Sequence, residues 1–69
     1  MKLSARNRLK GKVTGIDEGA VNSTVRIDVG GGTEVTAMIT NAAVSELGLA
    51  EGSDAYAVIK ASDVLIGID

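Results

Sequence analysis

Hydrophobic and polar side chains alternate along most of the chain, a pattern typical of half-buried β-strands. The sequence predicts a first strand from about Lys2 to Ile16, a second over Val21–Val29 and a third over Glu34–Ile39. Asp17–Ala20 and the glycine run Gly30–Gly32 lie between these strands and favour turns. The residues expected to face the core in the second and third strands are all aliphatic: Val21, Val25, Ile27, Val29, Val35, Ala37 and Ile39.

The hydrophobic period changes after the third strand. Thr40–Leu47 has a Thr or Asn in position to cap a helix, several good helix formers, and Gly48 as a stop signal. Val44 and Leu47 would share one face of this helix. The sequence therefore predicts a short helix of about two turns, followed by a return to strand structure.

Two further strands are predicted beyond the helix, over Asp54–Lys60 and Val64–Ile68. The last segment is apolar on both faces, so we expect another subunit to cover it. Three strands, a helix and two strands follow the order of an OB-fold. The predicted fold class is therefore all-β, a five-stranded OB-fold-like small barrel with one short helix between strands three and four, forming a single domain over residues 1–69.

Charge is distributed very unevenly along the chain. The net charge is −2, yet the first twelve residues carry five positive charges and no negative one. The alternation of the first strand places its polar residues on one face: Lys2, Ser4, Arg6, Arg8, Lys10 and Lys12. Ser4 and Arg6 can both donate hydrogen bonds to oxygen. This basic strand in an acidic protein predicts an anion site.

Composition limits which metal sites and which sources of stability this chain can have. The chain of 69 residues contains no Cys and no His, so disulfides and the common zinc or copper sites are excluded, and no direct protein ligands to a cation are expected. A domain of this size is marginally stable alone, which leaves oligomerisation as the expected source of extra stability.

No apolar run approaches the roughly 20 residues of a membrane span. With no signal-peptide pattern at the start, the expected location is cytoplasmic and no membrane partner is expected.

A second group of candidate donors follows the fourth strand. Lys60 is the one charged residue near its end, and the small residues Ala61 and Ser62 would let a ligand approach the backbone. Ser62 could cap a helical turn whose free N–H groups point at an anion. An alternative stays open: Lys60 is simply solvated at a strand end and Ser62 is only a cap, and Arg6 is likewise solvated.

At this point the sequence resembles the molbindins, the stand-alone Mop domains, over Ser4–Asp69. The paired motifs Ser4–Asn7 and Lys60–Ser62 are specific to that family. The other matching positions are Gly11, Val13, Gly19, Val21, Asn22, Ala37, Ile39, Thr40, Leu47–Leu49, Gly52 and Ile59.

The resemblance implies an OB-fold subunit that binds molybdate, and tungstate as well, for intracellular molybdenum storage or homeostasis. It implies a homo-oligomer, often a hexamer built as a trimer of dimers, with anions held between subunits and no catalytic cofactor. The implied donors are the side chains of Ser4, Arg6, Lys60 and Ser62 with backbone N–H groups near Ala5 and Ala61.

The resemblance also implies a contribution from the neighbouring subunit. That contribution would come from the helix start, between Thr40 and Ala43. Many family members have Ser where this chain has Ala43, so Thr40 or a backbone group would have to replace that hydroxyl. A second site type, on a three-fold axis, is implied at Val21, Asn22 and Ser23.

The chemistry of the implied ligand suits these residues. Molybdate at neutral pH is a fully ionised tetrahedral dianion, so its oxygens accept hydrogen bonds and donate none. The implied site offers donors throughout, and charge-assisted bonds of this kind are strong. Phosphate near neutral pH often carries a proton that needs an acceptor, whereas sulfate would have to be excluded by its size.

Three other functions compete with anion binding as interpretations of the sequence. Binding of nucleic acid needs aromatic stacking platforms, and Tyr56 is the single aromatic residue. An enzyme without Cys or His would depend on Ser4 or Ser62 beside Lys60, so no enzymatic activity is expected. A carrier of a molybdenum–pterin cofactor would need a flat slot for the pterin ring, to which Tyr56 alone could contribute.

Overall fold

The sheet is one curled, antiparallel unit of four strands in the order β3-β2-β1-β4. The structure, a computed structural model, describes all 69 residues. The elements in chain order are β1 (Asn7–Glu18), β2 (Asn22–Asp28), β3 (Glu34–Thr40), α1 (Asn41–Leu47), β4 (Asp54–Ile59) and one turn of 3-10 helix (Ala61–Asp63). The predicted all-β, OB-fold-like class is confirmed, although with four strands instead of five.

β1 is the strand on which the others are assembled. Its first half pairs with β4, from Asn7 opposite Ile59 to Lys12 opposite Asp54. Its second half pairs with β2, ending with Glu18 opposite Ser23. A long strand can serve two neighbours in this way because each half bonds through a different edge, which curls the sheet.

A bulge interrupts β1 between Val13 and Gly15. Val13 lies opposite Ile27 and Ile16 lies opposite Val25, so an odd and an even residue both face the core. The extra residue, Thr14, lets the strand bend while keeping both aliphatic side chains inside. A strictly alternating strand, as the sequence predicted, would have turned Ile16 outward.

The core is small and aliphatic. Val13, Val25, Ile27 and Ala57 are its buried members, and aliphatic residues of β3, α1 and the loop after it pack around them. The prediction that Val21 faces the core was wrong, because this side chain is 69% exposed. β2 begins only at Asn22, and the first inward position is taken by Ser23, which is 2% exposed.

The predicted helix is confirmed together with both of its end signals. The Thr40 side chain accepts a hydrogen bond from the Ala43 N–H, and Gly48 ends α1 in the left-handed conformation. The 3-10 turn differs from its prediction, because Ser62 lies inside the turn and Lys60 holds the cap position without a side-chain cap bond. No helix is long or apolar enough to cross a membrane.

The two ends of the chain depart most from the sequence prediction. β1 starts at Asn7 instead of Lys2, because its partner β4 ends at Ile59 and leaves residues 2–6 nothing to pair with. Val64–Ile68 forms no strand within this chain and is exposed throughout. The predicted fifth strand is therefore absent, and the sheet stays open between β3 and β4.

Gly11 gives a test of how tightly β1 packs. A Cβ at this position would clash with the backbone carbonyl of Asp28 and lie 2.8 Å from Ile27 Cγ2. Gly11→Ala is expected to lower the free energy of unfolding by about 1–3 kcal/mol, the usual cost of overpacking. Chemical denaturation measures this, with Lys10→Ala at the exposed neighbouring position as the control. Equal stability of the two variants would contradict this account.

Candidate oxyanion-binding site

Pairing of β1 with β4 brings the two predicted donor segments to the same end of the sheet. Asn7 and Ile59 are register partners, and the Asn7 side chain also donates to the Ile59 carbonyl at 3.2 Å. Ser4–Arg6 immediately precede this pair and Lys60–Ser62 immediately follow it. The strands run antiparallel, so both segments leave the sheet side by side.

The cations of these segments are exposed and have no carboxylate partner within ion-pairing distance. The two salt bridges of the chain lie elsewhere, between Lys12 and Asp54 at 2.8 Å and between Arg26 and Asp17. Arg6 and Lys60 take part in neither. This end of the sheet therefore offers two positive charges that an external anion can approach.

Two carboxylates near the basic strand, those of Asp54 and Asp17, take part in salt bridges. A hydrogen bond and the charge of Lys12 lower the pKa of the Asp54 carboxyl. The hydrogen bond and charge of Asp17 raise the pKa of Arg26, which lies on β2 opposite Gly15. Both carboxylates are held by cations outside the two donor segments, so neither competes with a bound anion.

Hydroxyl and amide groups complete the donor set. Ser4 and Ser62 are exposed and form no side-chain hydrogen bond within the chain, while Ala5 is half-buried. In the 3-10 turn, the Asp63 N–H donates to the Lys60 carbonyl at 2.9 Å. The first N–H groups of a helical turn have no acceptor inside the turn, which leaves the backbone of Ala61 and Ser62 as candidate donors.

The helix start predicted as the partner contribution lies at the other end of the sheet. Thr40 pairs with Asn22, beside the end of β1, whereas Ser4–Arg6 precede its beginning. The Ala43 N–H is already bonded to Thr40 Oγ1 at 3.0 Å, so the Thr40 hydroxyl proton is the donor that stays available. One chain therefore cannot bring Thr40 to its own Arg6.

The segment predicted as a second site is tied to α1. Buried Ser23 donates to Asn41 Oδ1, and the Asn41 side chain donates to the Gly19 carbonyl at 2.9 Å. The Asn41 N–H donates to the Val21 carbonyl at 2.8 Å, while Asn22 stays exposed. The Ser23 hydroxyl proton is thus already used inside the subunit, and anion binding at Val21–Ser23 stays a prediction.

Sequence reasoning missed the roles of Asn7 and Asn41. Asn7 joins the two donor segments, and Asn41 joins the β1–β2 turn to the helix. A signal for Asn7 was present, since it is a polar residue at an inward position between Ala5 and Leu9. Polar residues on an apolar face are retained where they find hydrogen-bond partners.

Residues 3–66 match the model of the TOBE domain. The chain belongs to the TOBE domain family. Among TOBE relatives, the "Probable molybdenum-pterin-binding protein" of Haemophilus influenzae is 52% identical over 69 residues, which is the full length of both chains. "Molybdenum-pterin-binding protein 1" of Clostridium pasteurianum is 46% identical over 66 residues, covering 96% of this chain and 97% of its own. The resemblance to the stand-alone Mop proteins is thereby confirmed.

Solved structures of TOBE relatives have the same fold. MopII from Clostridium pasteurianum superposes with a TM-score of 0.90 at 43% identity, covering 97% of this chain and all of MopII. The cytoplasmic molybdate-binding protein ModG, crystallised with molybdate bound, superposes with a TM-score of 0.95 at 54% identity. All of this chain matches 49% of ModG, so it spans about half of that protein's length.

The Ser23–Asn41 bond can be tested separately from ligand binding. Ser23→Ala leaves the Asn41 side chain without its donor in a part-buried position, which should cost about 1–3 kcal/mol of unfolding free energy. Ser45→Ala, on the exposed side of α1, should change stability by less than about 0.5 kcal/mol. If denaturation gave Ser23→Ala the stability of the parent, the bond would have no structural role.

Proposed function

We propose that this chain binds molybdate, and tungstate in the same way, at sites formed by Ser4, Arg6, Lys60 and Ser62 with the backbone of Ala5 and Ala61. The observation that carries the proposal is the Asn7–Ile59 pairing, which places two donor segments together at one end of the sheet. These six donor residues include two cations without a salt bridge and no carboxylate, a combination that favours a fully deprotonated anion. The molybdate bound in ModG supports this choice of ligand.

The proposed donors fit a tetrahedral dianion. A guanidinium, an ammonium, two hydroxyls and backbone amides can each donate to an oxygen, and the bonds from the two cations are charge-assisted. Tungstate has the same charge and shape, so these donors do not discriminate against it. A protonated phosphate would require an acceptor, and the donor set contains no carboxylate.

The sites are completed between subunits in this proposal. The exposed position of Arg6 and Lys60 leaves one side of the anion uncovered within a single chain. The Thr40 hydroxyl at the helix start of a neighbouring subunit would supply the remaining contact, in place of the hydroxyl missing at Ala43. The assembly proposed is a hexamer arranged as a trimer of dimers, serving molybdenum storage or homeostasis in the cytoplasm without catalysis.

Binding of a molybdenum–pterin cofactor is the second candidate, favoured by the names of several relatives. Tyr56, the single aromatic side chain, is half-exposed beside the apolar groove between β3 and β4. That groove reaches Ile59, which pairs with Asn7 at the end of the sheet where the donor segments begin. Fluorescence of a pterin retained through purification would distinguish this ligand from the simple oxyanion.

Removal of either cation should weaken molybdate binding. Arg6→Ala and Lys60→Ala each delete a charge-assisted hydrogen bond, a loss of about 1.5–3 kcal/mol, or about ten- to a hundred-fold in affinity. Arg6→Lys should also bind more weakly, because an ammonium lacks the planar fork of a guanidinium. Calorimetric titration with molybdate measures these changes.

Arg8→Ala is the matched control for these variants. Arg8 lies two residues further along the chain, inside β1, and its guanidinium donates to the Met1 carbonyl at 3.0 Å. If Arg8→Ala weakened binding as much as Arg6→Ala, the basic strand would act as a diffuse field instead of a site. Unchanged binding in both Arg6→Ala and Lys60→Ala would rule out the proposed site.

Self-association provides an independent test. With a core of so few buried residues and an exposed apolar C-terminal segment, the chain should form a stable oligomer at micromolar concentration. Light scattering should give a mass several times that of the 7.0 kDa subunit. A compact monomer under these conditions would contradict both the assembly and the shared sites.

A further inference from the structure

The exposed face of the paired strands β1 and β4 carries a row of cations, and the proposed site lies at one end of this row. Register partners share a face of a sheet, so alternate pairs form successive steps on one surface. Arg6 and Lys60 lie just beyond the first step, where the donor segments leave the sheet. The exposed pairs, in order from the donor segments, are Arg8–Val58, Lys10–Tyr56 and Lys12–Asp54.

Positive charge is concentrated on these two strands. Residues 6–12 and 54–60 carry five positive charges and one negative charge, whereas the rest of the chain carries two positive and eight negative charges. The one carboxylate of this face belongs to Asp54, which lies at the end away from the donor segments and pairs with Lys12 at 2.8 Å. Val58 and Tyr56 bring no carboxylate, so no acid on this face offsets the cations nearer to the donor segments.

The donor segments alone have little excess charge with which to attract an anion from a distance. Asp63 follows them on the 3-10 turn, so its carboxylate offsets one of the two positive charges of Arg6 and Lys60. The whole chain has a net charge of −2 and repels a dianion at long range. Attraction toward this end of the sheet therefore depends on the cations further along β1.

Lys10 can supply this attraction through its charge alone. It takes part in no salt bridge. The pKa of the Asp54 carboxyl is lowered by the hydrogen bond and charge of Lys12, and also by the charge of Lys10, which therefore reaches the next step of the surface. Four residues of extended chain separate Lys10 from Arg6, about 13 Å. This distance exceeds a hydrogen bond but lies within the Debye length of about 30 Å at 0.01 M salt.

We propose that Arg8 and Lys10, with Val58 and Tyr56 beside them, form an approach surface that attracts molybdate from solution and raises its rate of arrival at the donor segments. This inference rests on the proposed function and adds a second role for the basic strand. Arg6 and Lys60 hold the bound anion and set its dissociation rate, whereas Lys10 sets the association rate. Charges beside a site change the association rate and its salt dependence in this way.

Charge reversal at Lys10 tests the approach surface. Lys10→Glu changes the charge by two units about 13 Å from the site and should lower the association rate about four- to nine-fold at about 10 mM salt. Lys10→Gln changes it by one unit and should lower the rate about two- to three-fold. Both effects should disappear at about 0.5 M salt, where screening leaves a Debye length of about 4 Å.

Two measurements separate arrival from release. Stopped-flow mixing with molybdate gives the association rate, calorimetric titration gives Kd, and their product gives the dissociation rate. The dissociation rate of Lys10→Glu should stay within about two-fold of the parent value, because no contact with the anion is removed. Circular dichroism verifies that the variants are folded.

Two further variants serve as controls. Lys10→Arg keeps the charge and should keep the parent association rate. Thr33→Glu changes the net charge by one unit, as Lys10→Gln does, but on the exposed β2–β3 turn beyond the Lys12–Asp28 pair. It should lower the association rate by less than about 1.5-fold.

Several outcomes would overturn the approach surface. These are a parent association rate in Lys10→Glu at low salt, a loss in Thr33→Glu equal to that in Lys10→Gln, and slow arrival that persists at high salt. A faster dissociation in Lys10→Glu with unchanged association would also overturn it, since Lys10 would then contact the anion.

Arg6→Ala and Lys60→Ala distinguish this proposal from the proposed site. Faster dissociation in both, at either salt concentration, together with a parent association rate in Lys10→Glu would reject only the approach surface. Parent dissociation rates in both, together with slow arrival in Lys10→Glu, would reject only the proposed donor set. A parent chain that binds no molybdate would overturn both proposals.

Discussion

The antiparallel pairing of β1 with β4 is the contact on which the rest of the molecule depends. Without it, β4 would have no neighbour in the sheet, because β1 is its single partner. The same pairing fixes the distance between two segments that are more than fifty residues apart in sequence. A long-range strand pair of this kind carries a large entropy cost of loop closure. The Asn7 side chain adds a hydrogen bond at the end of the pair, where fraying would otherwise separate the donor segments.

Polar residues secure both ends of β1 in a chain whose buried core is very small. Asn7 bonds to Ile59 at the beginning of the strand, and Ser23 with Asn41 ties the turn that follows its end. Hydrogen bonds to buried partners are strongly directional, and a partner left unsatisfied is costly. They therefore fix the register of the strands where four buried aliphatic side chains could not do so alone.

The sequence predicted the strands, the helix and its end signals because those features depend on local periodicity and capping. It did not predict the bulge at Thr14. An inserted residue shifts the alternation of inward and outward side chains by one position, and glycine has no side chain that would reveal this shift. The fifth strand failed for a different reason: Val64–Ile68 has the composition of a strand but finds no edge within its own chain. Charge and residue type pointed to each donor segment, and family resemblance joined them into one site, while their proximity depends on a strand register that no local pattern specifies.

The charge of the donor segments bears directly on the proposed assembly. The basic residues of β1 are partly compensated, since Lys12 pairs with Asp54 and Arg8 bonds to a backbone carbonyl. Arg6 and Lys60 are left without a counter-charge. Bringing such cations toward a second subunit is unfavourable while they are unpaired, because removal from water penalises an uncompensated charge. A dianion bound between Arg6 and Lys60 compensates their charge, so that bringing the two subunits together becomes favourable at this site. If the sites are shared, coupling is reciprocal: molybdate must stabilise the assembly by the same free energy by which the assembly strengthens molybdate binding.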